Sequence, residues 1–336
     1  MENNIRVGII GSGYIADFHA KAVQAIKGME LSGVVSPNRD KAARFASRYH
    51  IESIFTDFDT FILDPPVDMV VLATPNCFHH DHTVKALKKS VHVLVEKPMA
   101  VRVSEAEEMQ ALALDKGRCL MVGQMWRFDR EVRWLMEQVN SGRLGKIFKT
   151  KGYGIHMNWG PSGWFTKKET AGGGALPDMG VHAIDTTRLL LGGPKPLRVY
   201  AKIGTFMTDY DVDDTGLLII DWEGGATSMV ESGWWQPHMD GPEAGARLYG
   251  SGGYGSLFPT FFKAFKDENI LEETPRFPER IGHCDQHMYT RQMKEMFKAI
   301  QEKRQPLPGG AEGIVSLKII EAAYLSSQTG EAVSIT

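Results

Sequence analysis

The first third of the chain alternates short apolar runs with segments whose apolar residues recur at helical spacing. The apolar runs predict strands at residues 5–10, 30–36, 67–74, 91–96 and 119–123. The helical spacing predicts helices that start after Gly13 and at residues 39–49, 79–89 and 104–116. Strands that alternate with helices at this pitch indicate βαβ units and a doubly wound parallel sheet. Ser104 and Glu107 match a capping box at the start of the last helix.

The pattern changes after Gly123. A linking helix is predicted at residues 126–140, and it is followed by segments that alternate apolar and polar residues. These alternating segments predict strands at residues 147–157, 197–206, 215–222 and 226–234. The remaining predicted elements are helices at residues 283–303 and 312–327 and a strand at residues 332–335. Such alternation is typical of an open, mostly antiparallel sheet with one packed face. The fold class is therefore α/β, with predicted domains at residues 1–124 and 125–336.

The composition and net charge of the chain indicate what kind of molecule it binds. The chain has 336 residues, of which 43% are hydrophobic and 24% charged, and its net charge is -3. This balance offers no basic surface for nucleic acid, so we expect a small-molecule partner. The three cysteines form no C-x-x-C pair, and no apolar run is long enough to cross a bilayer. We expect a cytoplasmic protein with neither a disulfide framework nor a membrane anchor.

A glycine turn follows the first strand. The sequence Gly11-Ser12-Gly13-Tyr14-Ile15-Ala16 is a G-x-G-x-x-A motif that opens a helix. The first glycine permits a tight turn, the second lets the backbone approach a pyrophosphate, and the small third residue allows close helix packing. A purely structural strand-to-helix turn is the alternative. The strand before it favours a dinucleotide site that includes Gly11, Gly13, Tyr14 and Ile15.

The residues after the second strand bear on which dinucleotide binds. An NAD-binding fold usually places an acidic residue about 20 positions after the glycines, and here Ser36 stands there, followed by Asn38 and Arg39. A hydroxyl, an amide and a guanidinium can hydrogen-bond a 2'-phosphate, which a carboxylate would repel. We expect NADP(H) to be favoured over NAD(H), although Arg39 also fits a simple role in the next helix.

Polar residues follow the ends of two further strands. Thr74, Pro75, Asn76 and His79 come after one, and the run VHVLVEKPMA places Glu96 and Lys97 at the end of the next. Ligands bind outside the carboxyl edge of open α/β sheets, so these residues are expected to contact the cofactor, with Lys97 delivering an ammonium group. The plainer alternatives are a solvated Lys97 and a His79 that only caps its helix.

A second constellation lies in the segment AGGGALPDMGVHAID. Asp178, His182 and Asp185 fall at i, i+4 and i+7, which on a helix would place them on a single stripe. Histidine exchanges protons near neutral pH, and a carboxylate one turn away can orient it. The alternatives are an N-cap aspartate and a core histidine. A metal site is not expected, because no third strong ligand follows at suitable spacing.

Taken together, these motifs resemble the Gfo/Idh/MocA family of oxidoreductases, named after glucose-fructose oxidoreductase, inositol dehydrogenase and rhizopine catabolism. The resemblance rests on GIIGSGYIADFHA, ATPNCFHHDH, VHVLVEKPMA and GGGALPDMGVHAIDTTRLLLGG in this order. It implies an N-terminal Rossmann domain, a C-terminal domain with an open sheet, an active site between them, and homodimers or homotetramers formed through the sheet. It also implies that Lys97, Asp178 and His182 surround the reacting carbon, and that the Lys97–Pro98 bond is cis as in relatives.

A reaction follows that these residue types can carry. In the oxidation direction His182 accepts the hydroxyl proton and Lys97 stabilises the developing oxyanion, while hydride leaves for nicotinamide. Asp178 binds substrate or holds Lys97 and His182 in place. Polar and aromatic residues from loops and strand ends are expected to line a sugar, cyclitol or polyol site. These substrate-site candidates are Arg127, His156, Asn158, Trp159, Trp164, His238 and His283.

Two other functions stay open from the sequence. One is an NAD-dependent glycosidase or lyase in which the cofactor oxidises the sugar transiently and is regenerated. The other is a dinucleotide-binding sensor without chemistry. The joint presence of Lys97, Asp178 and His182 favours an enzyme, because a sensor would not need all three.

Overall fold

The computed structural model describes residues 4–63, 67–238, 243–266, 269–278 and 284–336. The chain folds into two compact units, one of residues 1–125 with 284–314 and the other of residues 126–283 with 315–336. Each unit is built around its own sheet. No helix within the described ranges combines the length and apolarity needed to span a bilayer.

A parallel sheet organises the first unit. Within the described residues its six strands are β1 (Ile5–Ile10), β2 (Met29–Val35), β3 (Ser53–Phe55), β4 (Met69–Leu72), β5 (His92–Glu96) and β6 (Leu120–Gly123). They pair in the order β3-β2-β1-β4-β5-β6, and every pairing is parallel. This is the strand order of a doubly wound dinucleotide-binding sheet, which confirms the predicted fold class.

Helices connect these strands. They are α1 (Tyr14–Gln24), α2 (Arg39–Tyr49), α3 (Phe58–Leu63), α4 (His79–Lys88) and α5 (Val103–Asp115). The hydrophobic pattern does not predict β3 and α3, which are only 3 and 6 residues long. Phe61 of α3 is nevertheless fully buried, and it packs where Gly8 and Gly33 leave room beside β1 and β2.

The predicted cap of α5 is wrong. The helix begins at Val103, one residue before the expected N-cap Ser104. The carboxylate of Glu105 accepts backbone N–H bonds from Val101 and Arg102 at 3.2 Å each, and it also accepts the guanidinium of Arg102. Glu105 therefore binds the N-cap backbone at Arg102, the role that the sequence predicts for Glu107 at Ser104.

The second unit contains three helices within its described residues before its C-terminal segment: α6 (Arg130–Asn140), α7 (Lys168–Ala171) and α8 (Val181–Leu190). The linking helix starts later than predicted, because residues 125–128 form a 3₁₀ turn and Asp129 caps α6 by accepting the N–H groups of Glu131 and Val132. Leu176–Gly180 form one wide π-helical turn directly before α8.

Nine strands form the sheet of this unit, counted over its described residues. They are β7 (Ile147–Met157), β8 (Pro196–Gly204), β9 (Thr215–Trp222), β10 (Thr227–Gln236), β11 (Ala244–Gly250), β12 (Gly253–Leu257), β13 (Phe261–Lys266), β14 (Asn269–Glu273) and β15 (Val333–Ser334). Their order is β14-β13-β12-β11-β7-β10-β9-β8-β15, and the β7–β10 pair alone is parallel among the pairings described. The open, mostly antiparallel sheet is confirmed.

Alternation along these strands decides which face is packed. Val199, Leu218, Ile220 and Val230 point into a core that also contains Ile184 of α8. Intervening residues such as Leu217 and Ile219 stay exposed. One face of the sheet is therefore covered by helices and the other is open.

The C-terminal region contributes to both units. Helix α9 (Gln286–Gln301) packs on α1 in the first unit, where the ring of Tyr289 stacks on Phe18 at 4.8 Å. Helix α10 (Gly310–Thr329) continues into the second unit. The predicted helix start at His283 lies outside the described residues. The division into domains at residues 1–124 and 125–336 stays a prediction, and packing groups residues 284–314 with the first unit.

We expect His82 to make the first unit sensitive to acid. Its ring stacks on Phe58 at 4.1 Å, and burial lowers its pKa from 6.5 to about 4. The folded state thus binds fewer protons than the unfolded chain, so this stability is complete above pH 6.5 and is lost as the pH falls towards 4. The loss is at most about 1.4 kcal/mol per pH unit within that window.

Urea unfolding of the wild type, His82→Phe and His82→Gln at pH 7.5 and pH 5.0 measures this effect. Both substitutions remove the titrating ring, and His82→Phe keeps an aromatic stack. The difference in unfolding midpoint between the two pH values should narrow in both variants. If the difference is unchanged in both variants, His82 does not contribute to the pH dependence of the unfolding free energy.

Candidate active site

The glycine turn leaves an open cradle at the start of α1. Gly11 has a φ of +108°, and a Cβ there would lie 2.2 Å from the carbonyl oxygen of Ala73, so only glycine fits. Gly13 is the N-cap of α1 without a side-chain cap, and a Cβ there would meet nothing within 4 Å. The first N–H groups of α1 therefore face a space that suits a pyrophosphate.

Two side chains at the start of α1 flank this cradle. Tyr14 is 67% exposed, and its ring meets the ring of Phe18 edge-on at 5.2 Å. Ile15 is half-buried, and Ala16 is fully buried against the sheet. The small third residue of the motif thus allows the close packing that the sequence predicts.

The residues that are predicted to contact the adenosine ribose follow β2. Ser36 is buried, and its hydroxyl accepts a hydrogen bond from Ser12 at 2.9 Å. Asn38 caps α2 by accepting the N–H of Lys41 at 2.9 Å. Arg39 is exposed at the first position of α2. Ser36 thus joins the glycine turn to the end of β2, and Arg39 presents its guanidinium at the surface.

A buried histidine joins the ends of β4 and β5. His79 is fully buried, with Nδ1 2.8 Å from the carbonyl oxygen of Pro98 and Nε2 3.0 Å from that of Thr74. Burial lowers the pKa of the His79 ring, and the two carbonyl acceptors oppose that shift because both favour the protonated ring. Pro75 and Asn76 follow Thr74 in the turn before α4. His79 therefore supports the backbone of this edge.

Lys97 stands at the carboxyl end of β5 beside a buried hydrogen bond between a histidine and a carboxylate. Lys97 is half-buried, and its bond to Pro98 is cis, as the resemblance implies. The backbone N–H of Lys97 donates to Glu96 Oε2 at 3.3 Å, while Glu96 Oε1 lies 2.7 Å from His19 Nε2. A Cβ on Gly123 would lie 2.8 Å from the Glu96 carboxyl carbon, so β6 leaves room for this carboxylate.

The sequence analysis missed His19. It is a fully buried residue of α1, and the edge of the Tyr289 ring packs against it at 5.1 Å. A signal was present, because His19 falls four residues after Ile15 and three before Ala22 on the predicted apolar stripe. A polar residue on a buried helix face needs a partner, and Glu96 supplies it.

In the second unit, the wide turn places Asp178 against a buried tryptophan. Asp178 is half-buried, and its Oδ2 accepts a hydrogen bond from Trp234 Nε1 at 3.1 Å. Gly154 of β7 lies directly below, and a Cβ there would come within 2.6 Å of the Met179 carbonyl oxygen. The absence of a side chain at residue 154 lets the turn sit directly on the sheet.

His182 and Asp185 follow in α8. The His182 ring is buried, and Trp126 stacks on it at 4.8 Å with an interplanar angle of 21°. Both oxygens of Asp185 accept hydrogen bonds from Arg127, at 2.7 and 2.6 Å. The expectation of one regular helical stripe is wrong for Asp178, which belongs to the wide turn, whereas His182 and Asp185 both lie in α8.

Two other predicted residues lie in aromatic stacks. His156 is buried, its ring stacks on Trp159 at 3.6 Å, and its Nδ1 lies 3.5 Å from Glu243. Trp159 also donates a hydrogen bond to Glu243. Trp164 is half-buried and stacks on Phe165.

His238 lies elsewhere in this unit. It is exposed and lines a surface pocket together with Lys151, Glu231 and Arg247. Glu231 points away from the helices, because its neighbour Ser232 faces Gly180 on the packed side. His238 therefore belongs to the open face of the sheet, and His283 lies outside the described residues.

Each unit thus contains one part of the candidate site. The first holds a backbone cradle for a dinucleotide and an ammonium group at the carboxyl edge of its sheet. The buried hydroxyl oxygen of Thr74 at this edge has no hydrogen-bond partner among the described residues, which fits a polar ligand. The second unit holds an imidazole that can exchange protons. Within the described ranges no cluster of three or more histidine, cysteine or acidic residues could hold a metal ion.

Comparisons with known proteins agree with these two parts. Residues 5–124 match the oxidoreductase family described as having an NAD-binding Rossmann fold, and residues 132–255 match the GFO/IDH/MocA C-terminal domain. The D-glucoside 3-dehydrogenase of Escherichia coli K12 is 29% identical over 98% of this chain and 97% of its own. The scyllo-inositol 2-dehydrogenase (NAD(+)) of Bacillus subtilis is 24% identical over 100% and 97%.

A solved structure shows the same fold over the whole length. It is a levoglucosan dehydrogenase in complex with NADH and L-sorbose, which superposes with a TM-score of 0.90 at 23% identity and covers 99% of both chains. The two domain matches, which follow one another along the chain, come from one family. The chain belongs to the Gfo/Idh/MocA oxidoreductase family, with an NAD-binding Rossmann domain followed by the C-terminal domain of that family.

Proposed function

We propose that this protein is an NAD(P)-dependent dehydrogenase that transfers hydride between nicotinamide and a secondary alcohol or ketone of a sugar, cyclitol or related polyol. The observation that carries the proposal is the position of Lys97 at the carboxyl end of β5, in the unit that holds the open Gly11–Gly13 cradle. The relatives support the substrate class, since their names describe dehydrogenases of a D-glucoside, scyllo-inositol and levoglucosan. We assign dinucleotide binding to residues 1–124 and substrate binding to residues 125–336.

The catalytic roles follow from residue chemistry. When bound, the nicotinamide supplies a hydride acceptor for the substrate carbon. His182 accepts the proton of the reacting hydroxyl, and its stack on Trp126 fixes the plane of the ring. Lys97 donates a hydrogen bond from Nζ to the same oxygen as negative charge develops there. In the reduction direction each group reverses its role.

Other residues orient these groups and the substrate. Asp178 binds a substrate hydroxyl through its carboxylate. The hydrogen bond from the Trp234 indole fixes the orientation of that carboxylate. Arg127, held by Asp185, and the aromatic residues His156 and Trp164 line the sugar site. Such faces suit a sugar ring, whose C–H patches pack on aromatic rings while its hydroxyls need polar partners.

We assign the dinucleotide contacts to the glycine turn after β1 and to the carboxyl edge of the parallel sheet. Gly11, Gly13, Tyr14 and Ile15 cradle the pyrophosphate through the backbone and the start of α1. The edge contributes Thr74, Pro75, Asn76, Glu96 and Lys97. His79 supports this edge through the carbonyl oxygens of Thr74 and Pro98. Ser36, Asn38 and Arg39 approach the adenosine ribose, and they favour NADP(H) because Arg39 presents an exposed cation.

The open sheet face supports a homo-oligomer, either a dimer or a tetramer. Leu217 and Ile219 are 45% and 46% exposed on β9, and Tyr200 lies exposed on the neighbouring strand β8. Apolar side chains grouped on one face are a feature of protein interfaces. A second copy of the chain is the proposed partner.

The catalytic assignment predicts how two single variants behave. Purified protein with NAD⁺ or NADP⁺ should reduce the dinucleotide, measured at 340 nm, with at least one of methyl glucosides, levoglucosan, scyllo-inositol or D-xylose. Lys97→Ala and His182→Ala should each lower kcat/KM by about 100-fold, the scale of a lost acid-base group. Fluorescence titration should show NAD(P)H binding within a few-fold of the wild type.

Matched controls are Lys88→Ala and His238→Ala, two exposed residues outside the proposed site. Both should retain wild-type turnover. A Lys97→Ala protein that binds cofactor and keeps near-normal turnover contradicts the assignment. Conversion of a glycoside without net change at 340 nm would instead indicate transient oxidation by a glycosidase or lyase.

The cofactor assignment predicts tighter binding of NADP⁺ than of NAD⁺. Arg39→Ala should weaken NADP⁺ binding by about 10- to 150-fold, since a charge-assisted hydrogen bond contributes about 1.5–3 kcal/mol. Binding of NAD⁺ should be unchanged, because it lacks the 2'-phosphate. Arg44→Ala, an exposed arginine further along α2, is the control, and titration of both dinucleotides is the measurement. A wild type that prefers NAD⁺ refutes the preference.

The oligomer assignment predicts that a charge on the open face separates the subunits. Light scattering coupled to size exclusion should give a dimer or tetramer for the wild type and a monomer for the Leu217→Glu, Ile219→Glu double variant. Two buried carboxylates without partners would oppose association. Leu114→Glu, on the exposed side of α5, is the control and should leave the mass unchanged. A monomeric wild type contradicts the proposal.

A further inference from the structure

We infer that Asp213 is a positioning residue for the reaction, because it clamps the turn from which Asp178 and His182 project. The inference rests on the proposed function, which makes those two residues catalytic. Asp213 lies in the loop before β9, far from Asp178 and His182 in sequence, and it is 7% exposed. No motif in the sequence marks it.

The clamp consists of four hydrogen bonds to a single residue. Asp213 Oδ1 accepts the N–H of Gly174 at 2.8 Å and the hydroxyl of Tyr324 at 2.6 Å, while Oδ2 accepts the N–H of Leu176 at 2.8 Å. The carbonyl oxygen of Asp213 accepts the N–H of Ala175 at 2.8 Å. Three consecutive backbone N–H groups, at residues 174–176, are thus bound by one aspartate.

The glycines of this segment are shaped to the clamp. A Cβ on Gly174 would lie 1.8 Å from the Asp213 carbonyl oxygen, and a Cβ on Gly173 would lie 2.2 Å from the Tyr324 hydroxyl. Neither position admits a side chain while the clamp is closed. The run of glycines before Asp178 therefore has a physical reason, which is the close approach of residue 213 and Tyr324.

The clamp acts immediately before the catalytic segment. Leu176 is the first residue of the wide turn, Asp178 is its third, and α8 with His182 starts at Val181. Such π-helical turns are rare and occur frequently at functional sites. Binding residues 174–176 fixes where the turn begins and hence where Asp178 and the start of α8 lie.

The residue that follows Asp213 holds the partner of Asp178. The backbone N–H of Trp234 donates to the carbonyl oxygen of Asp214 at 2.8 Å, and the Trp234 indole donates to Asp178 Oδ2 at 3.1 Å. The Asp214 carboxylate in turn accepts the N–H groups of Phe206 and Met207. The pair at residues 213–214 therefore sets both the backbone below Asp178 and the group that orients its carboxylate.

An amide cannot take over this role. Gly174, Leu176 and Tyr324 all donate to the carboxylate, so the amino group of an asparagine would face a donor at one of its positions. Burial raises the pKa of Asp213, and the three donors oppose that shift by favouring the ionised form. Asp213→Asn keeps the volume of the side chain while it breaks the clamp.

The test compares Asp213→Asn and Tyr324→Phe with the control Asp211→Asn, an exposed carboxylate in the same loop that accepts the N–H of Lys168. The substrate is the panel sugar that the wild type oxidises fastest, in protiated form and deuterated at the reacting carbon. Thermal midpoints and NAD(P)H titrations show whether each variant is folded and binds cofactor.

We expect kcat of Asp213→Asn to fall by about 100-fold, as for a misplaced catalytic group, with NAD(P)H affinity within twofold. The deuterium isotope effect on kcat should rise, because the chemical step becomes slower than product release. Tyr324→Phe removes one of the three donors and should show the same changes to a smaller extent. Asp211→Asn should match the wild type. A folded Asp213→Asn with wild-type kcat overturns the inference. So does a lower kcat with an unchanged isotope effect when the wild-type isotope effect shows that product release limits its kcat.

Two further measurements test the clamp even if Asp213→Asn does not fold or the proposed function is wrong. If Asp213→Asn does not fold, Tyr324→Phe decides by the same criteria. NMR spectra of protein labelled at histidine Cε1 report the His182 ring directly, with its signal assigned by its loss in His182→Gln. A shift of this signal in Tyr324→Phe but not in Asp211→Asn supports the clamp, and no shift in either refutes it. If the wild type oxidises nothing in the panel, the proposed function fails and this spectrum alone judges the clamp.

Discussion

Backbone segments that approach one another more closely than a β-carbon permits are the constraint on which both units depend. In the first unit, residue 11 passes so near the carbonyl oxygen of Ala73 that a Cβ would lie 2.2 Å from it. In the second, Gly174 meets Asp213 and Gly154 meets Met179 in the same manner. Each approach fixes a turn from which functional groups project. Packing thus requires glycine at these positions, and the turns that glycine permits carry residues of the proposed site.

Buried polar partners add a second layer of control behind these turns. Glu96 is bound by His19, Asp178 by Trp234 and Asp185 by Arg127. Such pairs contribute little to folding stability at the surface. When they are buried, removal of one partner leaves the other without a hydrogen bond and lowers the stability strongly. These pairs fix the orientation of carboxylates that lie at or beside the proposed site. Orientation is therefore set by packing, and the half-buried Lys97 and Asp178 keep access to a ligand.

Local pattern was enough to predict most of the elements that carry the fold. The bounds of β1, α2, β7 and β9 match the predictions, since their apolar periodicity is uninterrupted. Strands β11 and β12 were missed, because AGARLYG and GYGSL are rich in glycine, which lowers strand propensity. The packing that demands glycine there is tertiary, as at Gly250, where a Cβ would lie 2.1 Å from the Leu144 carbonyl oxygen. The cap of α5 was misplaced because two acidic residues, Glu105 and Glu107, offered nearly the same spacing.

The candidate site shows where sequence reasoning ends. Lys97, Asp178 and His182 could be named because each stands in a compact motif, although the stripe drawn through the last two assumed a regular helix. Their partners could not be named, because Trp126, Trp234 and Asp213 are 56, 56 and 39 residues from the groups they contact. Spacing along a chain predicts neighbours only within one element, whereas these contacts depend on where the sheet brings distant strands. What the sequence conceals is therefore the set of residues that hold the reactive groups still, and these residues decide whether a motif works as a site.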